Sequence, residues 1–580
     1  MVPSIVMNQF KYLIIVTSLL FSACAQTPVQ QEAVNPENPH ESQDDDALAL
    51  PNVELTDELL FGFLLSEIAN QRGQTQLAAQ GSLELAQKSR DPRLARRATQ
   101  LAFEAGQMDA ALAALKVWQE LEPNSTLAMR MKASVLLRSG KINEARPEII
   151  KVLKAEEAHA GIVFMQIFKM LASYPDTAAA LKLMRELAQP YPQVAEAHWA
   201  VALMAQGSGD DKLALDEIRQ ARNLRPEWDM AASLEAQLLQ RSAPQQGLDV
   251  LQSYLSSYPK AGEIRLQYAR ALLEQKQFGK ARDEFQRLAN DDPDNPEFPF
   301  AVALISLQLN DMQGAETQLK LALSKGKKDQ DAVQYYLGQL SEAKNNDEEA
   351  TAYYQNVKGG EYLFSAQVRA AYLLGKRGQL AEARKQLHQV QAETVQQRVQ
   401  LVLIESQLLR EANQLTESYQ VLQKSLVKLP DNPDLLYGTA MMADRIGKPD
   451  VFEQLIRKLI KVKPDYAHAY NALGYSMLER NERIPEAVTL VEKALQLAPD
   501  DAAIMDSVGW GYYRIGKLDD SVKMLRRAMV GNPDPEIAAH LGEVLWARGD
   551  QGEAKKVWQD SLKVHPGNEV LQAVMKKFMP

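Results

Sequence analysis

The sequence predicts an all-α solenoid, because two residue types recur at one interval and helical segments fill the space between them. From Pro123 to Pro566 is 443 residues, or about 13 periods of 34. Glycines keep the same interval, since Gly106 and Gly140 are 34 residues apart. A fixed period in two independent residue types indicates tandem repeats. Prolines 33 to 35 residues apart form two series: Pro192, Pro226, Pro259 and Pro293, then Pro430, Pro464, Pro499, Pro533 and Pro566.

Each element of the repeat has a physical reason. Gly474 in the first helix and Ala487 in the second are small, which lets two helices approach closely. Gly516 exemplifies the glycine that takes the tight turn, and Pro499 exemplifies the proline that ends the second helix. Counting outward along the chain gives about 13 to 15 helix–turn–helix units.

Composition excludes several classes of protein. The chain has 580 residues, 46% of them hydrophobic, with a net charge of −10 and no basic stripe of the kind that binds nucleic acid. No apolar run approaches the 20 or so residues of a membrane span, so a polytopic membrane protein is not expected. One cysteine excludes an internal disulfide framework and any multi-cysteine metal site.

No pattern in the sequence points to catalysis. The HExxH, GxSxG and GxxxxGK[ST] patterns do not occur, and the seven histidines are scattered without an i, i+4 pair. We therefore expect no enzyme activity, no cofactor and no metal site.

The repeat resembles the tetratricopeptide family, whose units place Leu-Gly or Leu-Ala in the first helix, Gly at the turn, Ala in the second helix and Pro after it. The resemblance implies a right-handed superhelix over residues 53–566, closed by a capping helix at 567–580. It also implies that first helices line a concave wall, which binds protein partners. Some aromatic residues on this wall could instead pack between repeats. The candidate protein-binding residues are Tyr437, Met441, Arg445, His468, Asn471, Tyr475, Asp506, Trp510, Tyr513, Arg514, Glu543 and Trp546.

The amino-terminal segment predicts export and anchoring. Lys11 precedes a mainly apolar stretch of ten residues, too short to span a bilayer, so residues 1–23 are expected to be a signal peptide that starts at Met1 or Met7. The tetrapeptide ending in Cys24 resembles a bacterial lipobox, which implies lipid attachment at Cys24. A plain secretory signal is the alternative. Residues 24–52 contain no Lys or Arg and little apolar periodicity, and we interpret them as a disordered acidic tether.

Three features together resemble a narrower group. Parts of the sequence are similar to Gram-negative outer-membrane tetratricopeptide lipoproteins, including LbcA-type adaptors. These parts are the lipobox with its tether, residues 90–114, and residues 471–518 together with 534–550. This resemblance implies a periplasm-facing scaffold, attached to the outer membrane by its lipid alone. It also implies binding of a carboxyl-terminal processing protease, of its cell-wall hydrolase substrates, or of both. The alternative is a non-proteolytic assembly or docking factor for outer-membrane proteins or exported polysaccharide.

Overall fold

The computed structural model describes residues 53–54 and 56–579. They divide into two compact units, one ending at Lys327 and the other beginning at Lys328. Between residues 53 and 579 the described residues form 31 α-helices and no strand, which confirms the all-α tandem-repeat prediction. The predicted signal peptide, Cys24 and the predicted tether up to residue 52 lie outside the described residues.

The first unit contains sixteen helices, which form eight consecutive pairs. A single 3₁₀ turn, Glu157–His159, interrupts the series. The helices are α1 (Asp57–Gln71), α2 (Thr75–Ser89), α3 (Pro92–Glu104), α4 (Met108–Leu121), α5 (Thr126–Arg138), α6 (Ile142–Ala155), α7 (Ala160–Leu171), α8 (Thr177–Ala188), α9 (Ala195–Ser208), α10 (Asp211–Leu224), α11 (Asp229–Ser242), α12 (Pro244–Ser257), α13 (Gly262–Glu274), α14 (Phe278–Asp291), α15 (Glu297–Gln308) and α16 (Met312–Ser324).

The second unit contains seven further pairs and one closing helix. In each unit the odd-numbered helix is the first of its pair. It packs closely on the even-numbered helix that follows in every pair except α7 and α8, which both pack on α9 instead. The helices are α17 (Gln330–Ala343), α18 (Asp347–Gln355), α19 (Leu363–Lys376), α20 (Leu380–Gln389), α21 (Val395–Glu411), α22 (Leu415–Lys428), α23 (Pro433–Arg445), α24 (Pro449–Val462), α25 (Ala467–Arg480), α26 (Ile484–Leu497), α27 (Ala502–Arg514), α28 (Leu518–Gly531), α29 (Pro535–Arg548), α30 (Gln551–Val564) and α31 (Glu569–Phe578).

Prolines and left-handed residues set the boundaries of these helices. For example, α22 ends at Lys428, two residues before Pro430, and α30 ends at Val564, two residues before Pro566. A proline disfavours helical backbone at the residue before it, which explains the constant offset. The turn within most pairs contains one residue of positive φ. These residues are Gly73, Gly106, Gly140, Gly209, Lys276, Asn310, Asn345, Gly378, Asn413, Gly447, Asn481, Gly516 and Gly549.

Small residues hold the two helices of a pair together. A Cβ atom built on Gly542 of α29 would lie 2.0 Å from Nε1 of Trp558, a fully buried side chain of α30. In the preceding pair, Ser521 is fully buried and its hydroxyl donates to the Gly509 carbonyl at 2.6 Å. The predicted small positions are therefore points of close helix contact.

Gly542→Ala should destabilise the last pair by about 1–3 kcal/mol, because the added methyl group overlaps the Trp558 ring in a packed core. Hydrogen exchange followed by mass spectrometry should show faster exchange in α29 and α30, together with a lower urea midpoint. Gly552→Ala is the matched control, because a Cβ atom at this position in α30 meets nothing within 4 Å. An unchanged exchange rate in Gly542→Ala would contradict the close-contact interpretation.

Candidate protein-binding surface

The twelve sequence-predicted binding residues all lie on first helices of four consecutive pairs in the second unit. Helix α23 carries Tyr437, Met441 and Arg445, and α25 carries His468, Asn471 and Tyr475. Helix α27 carries Asp506, Trp510, Tyr513 and Arg514, and α29 carries Glu543 and Trp546. Helix α27 packs directly on both α25 and α29. The pairing therefore brings the residues of these three helices into one row, which we call the first-helix row.

The predicted residues differ widely in exposure. Arg445 is exposed, and most of the others are partly buried. Tyr437, Asp506 and Trp510 are only 8%, 6% and 7% exposed, so they contribute chiefly to packing between repeats. Burial raises the pKa of Tyr437, and the neighbouring Tyr466 and Asp501 raise it further. Fewer residues are therefore accessible to a partner than the twelve that the sequence predicts.

The centre of the first-helix row is a buried pair of a carboxylate and an imidazole. Nδ1 of His540 on α29 lies 3.0 Å from both carboxylate oxygens of Asp506 on α27. The Trp510 ring stacks on His540, with centroids 4.3 Å apart and an interplanar angle of 21°. Two further carboxylates accept hydrogen bonds from the aromatic side chains beside this pair. The indole N–H of Trp510 donates to Glu479 at 2.8 Å, and the hydroxyl of Tyr475 donates to Glu536 at 3.1 Å.

The surroundings of this pair favour the protonated form of each side chain. Burial raises the pKa of Asp506 against the opposing effect of His540. Burial alone would lower the pKa of His540, but the charge and hydrogen bond of Asp506 outweigh it and raise that pKa. Glu536 and Glu479 act on His540 in the same direction. The folded chain therefore holds protons here more tightly than the unfolded chain does.

At the α25 end of the row, one polar atom is left without a partner. Oδ1 of Asn471 is buried and finds no hydrogen-bond donor among the described residues. A buried acceptor of this kind costs free energy until a donor reaches it. Nearby, His468 lies 3.8 Å from a carboxylate oxygen of Asp501. A partner that supplies a donor to Asn471 would remove this cost.

Helix α31 covers the other end of the row. Phe578 packs on Trp546 with ring centroids 5.7 Å apart, and Lys577 pairs with Glu543 at 3.1 Å. Both predicted residues of α29 therefore contact the closing helix. On α27, Arg514 is also engaged, because it donates to the Leu478 carbonyl at 2.9 Å.

Sequence reasoning missed three members of this site, His540, Glu479 and Glu536. In the sequence, His540 is one of seven histidines with no i, i+4 partner. The signal that could have found it is the repeat itself, because His540 follows Asp506 by 34 residues and so occupies the same position in the next unit. Equivalent positions on adjacent first helices face each other in a solenoid.

Two other features do not occur among residues 53–54 and 56–579. In this part of the chain, no three His, Cys, Asp or Glu side chains come together in a way that could bind a metal ion. No helix in the same part combines the length and apolar character that crossing a bilayer requires.

The buried pair should make stability depend on pH. Because the folded-state pKa of His540 is raised, its stabilisation is complete below the unfolded value of about 6.5 and is lost as pH rises through the folded value. The raised pKa of Asp506 acts in the same direction. We expect unfolding in urea to show stability falling by about 1 kcal/mol between pH 6 and pH 9.

His540→Gln should remove the part of that dependence that comes from this pair, because it removes the titrating imidazole. His198, whose pKa is raised by its hydrogen bond to Glu217, keeps its own contribution in the variant. His159→Gln is the control, since His159 is exposed in the first unit. Parallel pH profiles for His540→Gln and the unsubstituted chain would contradict the assignment.

Comparison with known proteins places these repeats in a family. Models of the tetratricopeptide repeat match residues 238–305 and 437–502, and the second match covers most of α23 and all of α25. The chain is 32% identical over 492 residues to the TPR repeat-containing protein PA4667 of Pseudomonas aeruginosa, covering 84% of this chain and 82% of that protein. It is 25% identical to the human mitochondrial import receptor subunit TOM70, over 31% of this chain and 32% of the receptor.

Similar solved structures include a chain of Naa15/Naa10 bound to HypK-THB, 12% identical with a TM-score of 0.31, covering 90% of this chain and 96% of that one. A chain of the APC/C hetero-tetramer Cut9-Hcn1 is 15% identical with a TM-score of 0.30, covering 84% of this chain and 97% of that one. The extended identity to the Pseudomonas protein carries the assignment: this chain belongs to the family of tetratricopeptide repeat-containing proteins.

Proposed function

We propose that this chain is a scaffold, anchored in the outer membrane through lipid on Cys24, that binds a periplasmic carboxyl-terminal processing protease and/or its cell-wall hydrolase substrates. The observation that carries the binding role is the first-helix row. It combines an unsatisfied acceptor at Asn471 with aromatic side chains fixed by their neighbours, and the preceding first helix α23 adds an exposed cation at Arg445.

The physical case for a scaffold rests on how such a row binds. Tetratricopeptide solenoids are typically non-catalytic interaction surfaces. Fixed aromatic and Arg anchors lose little conformational entropy when a partner binds, which favours affinity. Many repeats on one chain also allow two partners to bind together, so that each raises the effective concentration of the other. A scaffold that joins a protease to its substrate would act in this way.

The protease and membrane parts of the proposal rest on the sequence resemblance. The lipobox ending in Cys24 and the acidic residues that follow it support a lipid anchor with a tether, and the segments 90–114, 471–518 and 534–550 support the adaptor role. About 28 residues between Cys24 and Val53 would reach roughly 30 Å as a flexible chain, enough to hold the repeats away from the membrane surface.

A crosslinked pull-down from intact cells should capture a serine protease of the carboxyl-terminal processing class. With the purified partner, Arg445→Glu should weaken binding about tenfold, because it reverses an exposed charge on a first helix. Arg527→Glu is the matched control, an exposed arginine on the second helix α28 that should change affinity less than about twofold. A capture dominated by barrel-assembly or polysaccharide-export machinery would favour the docking-factor alternative. Equal losses for the two variants would argue against binding on the first helices.

Cys24→Ser tests the anchor separately. Removing the thiol removes the site of acylation, so the protein should move from the outer-membrane fraction to the soluble periplasmic fraction. Metabolic labelling with an alkyne fatty acid should mark the unsubstituted chain and not the variant. Continued outer-membrane fractionation of Cys24→Ser, without label, would contradict lipid anchoring while leaving the binding proposal intact.

A further inference from the structure

Helix α1, the first described helix, exposes an unusual amount of apolar surface. Six large apolar side chains on this one helix are between 43% and 67% exposed, and the most exposed is Phe61. Contiguous apolar surface of this size marks an interaction site on a soluble protein. The six are Leu60, Phe61, Phe63, Leu64, Leu65 and Ile68.

The packing of α1 explains why these side chains are left outside. Its contact with α2 is made by small residues: a Cβ atom on Gly62 would lie 3.1 Å from Leu85, and one on Gly81 would lie 2.4 Å from Oγ of Ser66. Ser66 and Ala69 are both buried. The side of α1 that carries Gly62, Ser66 and Ala69 therefore packs on α2, and the large apolar side chains are distributed over the rest of the helix surface. A helix that is apolar on all sides is normally buried.

The outer face of α1 is nearly symmetric about its centre. Leu60, Leu64 and Ile68 are spaced by four residues and so lie on one face, with Leu64 in the middle. The ends of the helix carry opposite charges, because the exposed Asp57 stands seven residues before Leu64 and the exposed Arg72 stands eight residues after it. If a second α1 packed antiparallel on the first, Leu64 of one copy would contact Leu64 of the other, and the acidic end of each helix would lie beside the basic end of its partner.

We propose that this face binds a second copy of the chain, with α1 of each copy antiparallel to the other and the two-fold axis at Leu64. In this arrangement Asp57 of one copy lies near Arg72 of the other, and Leu60 near Ile68. Glu58 at the same end is already paired with Lys88 at 2.5 Å, so Asp57 is the acid available to the partner. The exposed parts of these six side chains, counted over both copies, amount to on the order of 1,000 Å² of apolar surface. This area is close to the lower limit for a specific interface.

Self-association of this kind goes beyond the proposed scaffold role and does not depend on it. A dimer would present two first-helix rows on one particle, which raises the avidity for any partner that has two binding sites. It would also remove the apolar outer face of α1 from water.

The first test is sedimentation equilibrium of residues 24–580 carrying Cys24→Ser, so that neither lipid nor the native thiol interferes. From about 1 to 50 µM the unsubstituted sequence should approach twice the monomer mass. Leu64→Glu should raise the dimer dissociation constant at least tenfold, because it places two carboxylates at the two-fold axis. Val427→Glu is the matched control, a valine that is 77% exposed on α22 and should dimerise normally.

A charge exchange tests the register. Asp57→Arg alone and Arg72→Asp alone should each weaken the dimer several-fold, because each brings like charges together. The double variant should restore it, since the exchanged pair is again complementary. Loss without rescue would overturn the antiparallel register.

A single-cysteine chain tests the axis directly. Leu64→Cys in the Cys24→Ser background carries one thiol, because the sequence has one native cysteine. Mild oxidation should link two copies rapidly, whereas Val427→Cys should not link. Monomeric mass throughout the range with no cross-link would overturn the proposal. So would flotation of a monomeric chain with phosphatidylethanolamine–phosphatidylglycerol vesicles that is lost in Leu64→Glu, because the occupant of this face would then be lipid.

Discussion

The rest of this structure depends on the close approach of two helices within each repeat. Gly474, Gly509 and Gly542 each stand where an added Cβ atom would lie 2.8 Å or less from a neighbouring side chain. This contact sets how closely the paired helices approach each other, and apolar side chains on their other faces pack against the neighbouring pairs. Because a single pair cannot bury those faces, each pair requires the next, and stability is shared along the array.

The same constraint places the candidate binding residues and the core between repeats on the same first helices. First helices of successive pairs lie side by side, so a large side chain on one of them meets the next helix as well as solvent. Trp510 illustrates the outcome: its ring stacks on His540 of the next first helix, and its Nε1 donates to Glu479 of the preceding one. A residue held from both sides is rigid, and rigidity is what a recognition surface gains from this arrangement.

Local features of the fold could be predicted from the sequence because they depend on nearby residues. A helix that ends at Lys428 ahead of Pro430, or a turn at Gly516, follows from backbone preferences within a few positions. The all-α class and the repeat count follow from repeating those features. The boundary between the two units at Lys327 and Lys328 falls in the loop between α16, which ends at Ser324, and α17, which begins at Gln330.

Exposure at the site could not be predicted in the same way, because it depends on side chains from other repeats. Tyr437 is buried beside Tyr466 of the following repeat, with ring centroids 5.5 Å apart. Trp546 is covered by Phe578 from α31, a helix that follows the last repeat and lies outside the periodic pattern. A position in the repeat therefore identifies the helix face, but the neighbour's side chain decides whether that face is open.

The two ends of the described helices solve the same problem in different ways. A terminal repeat needs an outer face that water can solvate. Helix α31 meets this need, since Leu571 is buried while Lys576 and Lys577 are exposed. Helix α1 does the reverse, with small residues inside and large apolar ones such as Phe61 outside. Exposing such a face is costly in water, so the composition of α1 is physically reasonable only for a helix that is covered in use.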